Sequence, residues 1–142
     1  MAQLQELLMD APRAKPDAPP PVAARPGLAA AGCELCRGAC CTGGGNHAYL
    51  RPGTLLRAAR ASGFGLETLA ELYRAAIPAL VIEDSCLFHA ADGCALPAVM
   101  RSEVCNGHWC GPLKRALAAP DPGETILVVM KGAEVLRTKN SL

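Results

Sequence analysis

The sequence predicts a small α+β domain of short helices and irregular cysteine loops held by metal, with a β-hairpin at its C-terminal end. Eight cysteines fall in two groups of four, residues 33 to 41 and 86 to 110. Helical periodicity fills the interval between the groups, and a strand-like pattern follows the second. At 142 residues the chain suits one domain and is too short for two separate cores. Its hydrophobic fraction is 51%, but much of that is alanine and only 4% of residues are aromatic, so the apolar core is expected to be thin. Small domains with thin cores draw on disulfides or bound metal for stability.

The elements follow in order. Leu4, Leu7 and Leu8 have the i, i+3, i+4 spacing of a short amphipathic turn, but isolated short helices are marginal in water, and a frayed terminus is expected. Residues 11 to 32 combine repeated prolines with alanine and have no apolar period, the composition of an extended linker. Residues 1–32 are therefore assigned to a disordered Pro/Ala-rich tail and 33–142 to the cysteine-cluster domain. Pro52 near a helix start, Leu55, Leu56 and Ala59 on one side and Gly63 as a stop predict a first helix. Leu66, Leu69, Leu72, Tyr73 and Ala76, ending by Pro78, predict a second that pairs with it. "ALVIED" from residue 79 is a short β-branched run, and Asp92-Gly93 is a turn pair that lets Cys86 and Cys94 flank one loop. "GPLKRALAA" reads as a last helix closed by Pro120, and "TILVVMKGAEVLRT" as a hairpin turning at Lys131-Gly132.

Bulk properties exclude several functions. A net charge of +1 with few aromatics gives neither a phosphate-neutralising surface nor base-stacking platforms, so nucleic acid is not an expected partner. No basic-then-apolar leader and no run of about 18 apolar residues occurs, so neither export nor a membrane is expected and the cytoplasm is the expected compartment. Thiols in a reducing cytosol stay reduced, which favours metal ligation over disulfides.

The cysteine spacing is Cys33-x2-Cys36-x3-Cys40-Cys41, then Cys86-x7-Cys94-x10-Cys105-x4-Cys110. On a helix at roughly 100° per residue, positions 33, 36 and 40 share one face within about 60°, while Cys41 points about 80° from the first. Adjacent thiolates fit one tetrahedral ion poorly, so Cys40 and Cys41 are expected at different centres or different irons. Thiolates take zinc or iron–sulfur clusters rather than magnesium or calcium. Spacing alone leaves zinc and iron, and one centre or two, both open. Gly43, Gly44 and Gly45 suit a flexible turn, or side-chain-free backbone approaching the thiolates and aiming N–H groups at sulfur.

A dense C-x2-C-x(2 or 3)-CC group, a helical spacer, a "CLF...GC" segment and a closing "R...C....C" segment resemble the YkgJ-type cysteine cluster family, a zinc- or iron-chelating domain with eight cysteines. The resemblance covers about residues 33 to 112 and implies Cys33, Cys36, Cys40, Cys41, Cys86, Cys94, Cys105 and Cys110 as metal ligands. The chain departs from the family where Ser102 follows Arg101 and Asn106 follows Cys105. A flagellin lysine methylase belongs to the same family, so the resemblance also admits an iron–sulfur enzyme or electron carrier related to protein lysine methylation. No catalytic or organic-cofactor residue is assigned. His47, His89 and His108, each beside a cysteine segment, are expected to face solvent or to support ligands, and Trp109 to shield the metal from water.

Overall fold

The computed structural model describes residues 2–20, 37, 39–108, 110–118, 125–131 and 134–140. Helix α1 spans Ala2–Asp10 and runs into a 3-10 turn over Ala11–Arg13. Helices α2, Pro52–Ser62, and α3, Leu66–Ala75, are joined by three residues. Pro52 supplies the fixed φ of a first helical position. Gly63 ends α2 at φ 74°, donating its N–H to the Ala59 carbonyl at 2.9 Å, a left-handed cap that favours glycine. Both helices fall where the apolar spacing predicts them. Leu55, Ala58, Leu69, Ala70 and Tyr73 are buried, whereas Leu72, expected on the apolar stripe, stays more than a third exposed and lies off the buried face.

The turn predicted at Asp92-Gly93 is present one residue earlier, at Ala91 and Asp92, because Gly93 already pairs with Ala90. Strands β1, His89–Ala90, and β2, Gly93–Cys94, pair antiparallel with His89 opposite Cys94 and Ala90 opposite Gly93. Short helices α4, Glu103–Gly107, and α5, Gly111–Ala118, follow. The C-terminal hairpin also stands where predicted, β3 over Thr125–Lys131 against β4 over Glu134–Asn140, with Lys131 opposite Glu134. Its turn residues 132 and 133 lie outside the described residues, as do Pro120, Trp109, Cys33, Cys36 and residues 21–32. The β-branched run at 79–84 forms no strand; Leu80 is 86% exposed, with Val81 and Ile82 beside it.

One expectation is overturned. Residues 2–20 are not a disordered tail: Leu4, Leu7 and Leu8 pack on the core, and Ala11 is fully buried. The leucine stripe that is marginal in isolation gains its stability from tertiary contact with α2 and α3. The proline-rich stretch that follows lies along α2 as a strap. The Asp17 N–H donates to the Gly53 carbonyl at 3.0 Å, and a Cβ on Gly53 would come within 2.3 Å of the Lys15 carbonyl oxygen. The Asp17 carboxylate accepts from Thr54 Oγ1 at 2.6 Å and faces Arg57 Nη1 at 3.9 Å, with Asp17 and Arg57 side chains 5% and 8% exposed.

The Tyr73 ring stacks obliquely on Phe88, with centroids 6.1 Å apart, and its hydroxyl donates to the Met100 carbonyl at 2.6 Å. Burial pushes this phenol well above its usual pKa; Arg57 opposes the shift and Asp17 adds to it.

Two outcomes are expected. Truncation of residues 1–20 removes the partner of a buried Arg57 and uncovers core side chains, so urea unfolding should show a loss of at least about 3 kcal/mol. For Tyr73 the folded pKa lies above the unfolded one, so its contribution is complete below pH 10 and declines as pH rises past the unfolded value. Tyr73→Phe should lose about 1–3 kcal/mol at neutral pH by orphaning the Met100 carbonyl. The variant should also show a shallower decline in melting temperature above pH 10.

Candidate metal centre

The first cysteine group enters the described structure at a tight 3-10 turn, Ala39–Gly43, rather than on the α-helix expected for residues 33–41. Cys40 and Cys41 are successive residues of this turn, while the faces expected of Cys33 and Cys36 lie outside the described residues. The adjacent thiols act on one another, a Cys41–Cys40 hydrogen bond being the first cause of both their shifts. That hydrogen bond is the main reason why the Cys40 thiol is pulled down to about 6, with the positive charge of His108 helping against partial burial. Cys41 is pushed in the opposite direction, first by giving up its proton's hydrogen bond on ionisation, then by burial and by the charges of Cys40, Cys94 and Cys86.

The backbone of this turn is stapled to the second group. The Cys41 carbonyl accepts both the Gly44 N–H and the Cys86 N–H at 2.9 Å, and the Leu87 N–H donates to the Gly45 carbonyl at 3.1 Å. Here the glycines become necessary. A Cβ on Gly44 would lie 2.8 Å from the Cys86 Cβ and 3.3 Å from its Sγ, and Gly45 has φ +50°. Close approach of bare backbone to a thiol is thus present, but the Gly44 N–H goes to a carbonyl and not to sulfur.

Cys86 is buried, and burial is the chief cause raising its thiol pKa, with Cys94, Cys105 and Cys40 adding repulsion. Cys94 reaches the cluster on β2. Cys105 sits in the first turn of α4, where Ser102, 1% exposed, caps the helix by accepting the Cys105 N–H at 3.1 Å. Burial raises Cys105 too, the Ser102 hydrogen bond opposes it, and the charges of Cys94 and Cys40 add to it. Cys110 is exposed just before α5, its carbonyl accepting the Lys114 N–H. Three separated segments therefore bring Cys40, Cys41, Cys86, Cys94 and Cys105 within reach of one another's charge. The six described cysteines are free thiols. Among the described residues, no three Cys, His, Asp or Glu side chains form a closed ligand set.

The histidines separate clearly. His89 is buried, with Nε2 donating to the Arg37 carbonyl at 2.8 Å, since a carbonyl only accepts; in the neutral ring Nδ1 then accepts from Ser85 Oγ at 2.7 Å. Both nitrogens are committed, and the ring ties β1, the strand paired with that of Cys94, to Arg37 ahead of Cys40. His47 is exposed, its Nδ1 accepting the Tyr49 N–H at 2.9 Å. The non-glycine residues with positive φ, Arg37, Ala48, Tyr49 and Asp84, lie in the loops beside Cys40, Cys41 and Cys86. Strain of this kind persists only where surrounding contacts impose it. Ser85, Asp17 and Arg57 have no place in the sequence-based expectations, and Ser102 enters them only as a departure from the family pattern. Ser102 carries a legible signal, a cap residue followed by an acid in the first turn; Asp17 carries none.

Comparison with family models, with characterised proteins and with solved structures gives no match for this chain. Among the described residues, no helix is long and apolar enough to cross a membrane.

Gly44→Ala should lower stability by about 1–3 kcal/mol, because neither backbone nor the Cys86 stem can withdraw freely. Gly107→Ala, where an added Cβ meets nothing within 4 Å, should be neutral or slightly stabilising. Paired thermal melts of the two variants measure the contrast.

Proposed function

We propose that the chain is a metal-chelating cysteine-cluster domain of the YkgJ type, working in the cytoplasm, in which eight thiolates bind zinc or iron in one or two centres. The ligands are Cys33, Cys36, Cys40, Cys41, Cys86, Cys94, Cys105 and Cys110. The observation that carries the reading is the convergence of cysteines distant in sequence: the Cys41 carbonyl accepts the Cys86 N–H, bare Gly44 backbone lies against Cys86, and Cys94, Cys105 and Cys40 add to the rise of the Cys86 thiol. Gathering free thiols is unfavourable once they ionise, because each thiolate raises its neighbours' pKa; a cation reverses the sign of that repulsion. The donor chemistry fits a borderline or soft metal, and the buried histidine, with both nitrogens engaged, leaves sulfur as the donor in the interior of the cluster.

Bound metal supplies a cross-link between segments that the thin core joins weakly. Cys40 holds the more readily ionised thiol of its pair and is the first to offer a thiolate near neutral pH. Metal binding releases protons from Cys41, Cys86 and Cys105, whose thiols are raised, so affinity increases with pH.

Elemental analysis of anaerobically purified protein for zinc, iron and sulfide tests the reading. A colourless zinc-loaded chain identifies a structural zinc domain, and broad visible absorption with acid-labile sulfide identifies an iron–sulfur protein. Removal of the metal with a strong chelator should lower the melting temperature by about 10 °C or more, equivalent to about 2–3 kcal/mol for a domain of this size. An unchanged melt after complete removal contradicts a metal that holds the fold.

A further inference from the structure

We propose that Asp17 is a positioning residue for the Cys105 arm of the cluster, so that seating of the N-terminal strap and metal binding through Cys105 are coupled; this rests on the thiolate metal reading above. Asp17 Oδ2 accepts from Thr54 Oγ1 at 2.6 Å on α2 and from the Glu103 N–H at 3.4 Å, the first residue of α4. Arg51 Nη2 donates to Asp17 Oδ1 at 3.1 Å and to Glu103 Oε2 at 2.7 Å, closing the same triangle through side chains.

Arg57, six residues after the N-cap Arg51 and within α2, repeats the arrangement. Its Nη1 donates to the Ala18 carbonyl at 2.9 Å, while Nη2 donates to the Arg101 carbonyl and reaches the Val99 carbonyl at 3.5 Å. Two arginines of one helix thus hold the strap on one side and residues 99–103 on the other. The next residue contacts lead directly to the thiol. Ser102 accepts the Cys105 N–H on its hydroxyl and the Asn106 N–H, at 3.0 Å, on its carbonyl. Asn106 Nδ2 donates back to the Ala98 carbonyl at 2.8 Å. A shift of residues 101–103 therefore carries the Cys105 turn with it.

Asp17 touches no sulfur; its influence passes through Arg51, Arg57 and Glu103. Coupling of this type is reciprocal, so metal bound through Cys105 stabilises the strap by the factor with which the strap strengthens metal binding. The absence of room for a Cβ at Gly53 keeps the strap in a single register, without which the carboxylate would not reach Glu103.

Amide hydrogen exchange of the intact chain and its Asp17→Ala variant, read residue by residue, tests the proposal together with zinc affinity measured against a competing chelator. Exchange at Cys105 and Asn106 should accelerate at least about tenfold more than at Leu69, whose N–H is bound within the α3 region, and zinc should bind at least about fivefold more weakly. Equal acceleration at all three amides, or none at Cys105 and Asn106, overturns the proposal, as does unchanged zinc affinity beside a loosened α4. If Asp17→Ala does not fold, Arg51→Ala, at a half-exposed site, should give the same pattern with smaller amplitude, and a uniform response there is equally decisive. A native chain that binds no zinc or iron defeats the metal reading and the coupling with it, while the exchange pattern still decides whether Asp17 positions the Cys105 turn.

Discussion

The buried contact between Asp17 and α2 is the constraint on which the arrangement depends. Arg57 is a long cation buried on α2 together with Thr54, Leu55 and Ala58, and an unpaired charge there would be strongly unfavourable. Carbonyls of Ala18, Val99 and Arg101 and the Asp17 carboxylate surround it, leaving only Nε without a hydrogen-bond partner among the described residues. Because those acceptors come from both ends of the sequence, solvation of one guanidinium determines where two otherwise irregular segments lie. Ion pairs of this sort are weak evidence for net stability against an apolar substitute, but removal of one partner is severe, which gives them value as registers.

Around the cysteines the same role falls to backbone. The Cys41 carbonyl collects two N–H donors, one local and one from Cys86, and the His89 ring joins the Arg37 carbonyl to Ser85. Irregular loops cannot satisfy their polar groups in ladders, so each buried one requires a specific partner. Those partners draw the segments of Cys40, Cys41, Cys86 and Cys94 together, and the thiols converge as a by-product of peptide hydrogen bonding.

Elements with period and punctuation were legible in the sequence. Helices α2 and α3 carry a proline start, a glycine stop and an apolar stripe, and the β3–β4 hairpin lies on a clear change of pattern. The N-terminal segment was not. Its prolines and alanines describe a chain that cannot fold alone, and nothing local reveals that Asp17 has a buried arginine waiting 40 residues later. The expected helix through Cys41 failed for a related reason: the apolar and cysteine spacing is compatible with a helix, but the glycines that follow and the pull of Cys86 favour a tighter turn. The expectation that the cysteines gather rests on their count and chemistry, whereas the serines and histidine that orient their loops depend on long-range contacts that spacing does not encode.

The hydrogen bond from the Glu103 amide to Asp17 spans 86 residues. On a ribosome adding about 5–20 residues per second, roughly 4–17 s separate the appearance of these two partners. Through that interval the leucines of α1 have helices α2 and α3 to settle on, but Arg57 lacks its carbonyls from residues 99 and 101. The strap can lie on α2 as soon as that helix is made, but its links to Arg101 and Glu103 through Arg57 and Asp17 close only once the Cys105 arm is being made. The domain's folding rate is thereby tied to contact order, and a nascent chain stalled before residue 99 presents thiols and apolar side chains that the finished domain would gather in.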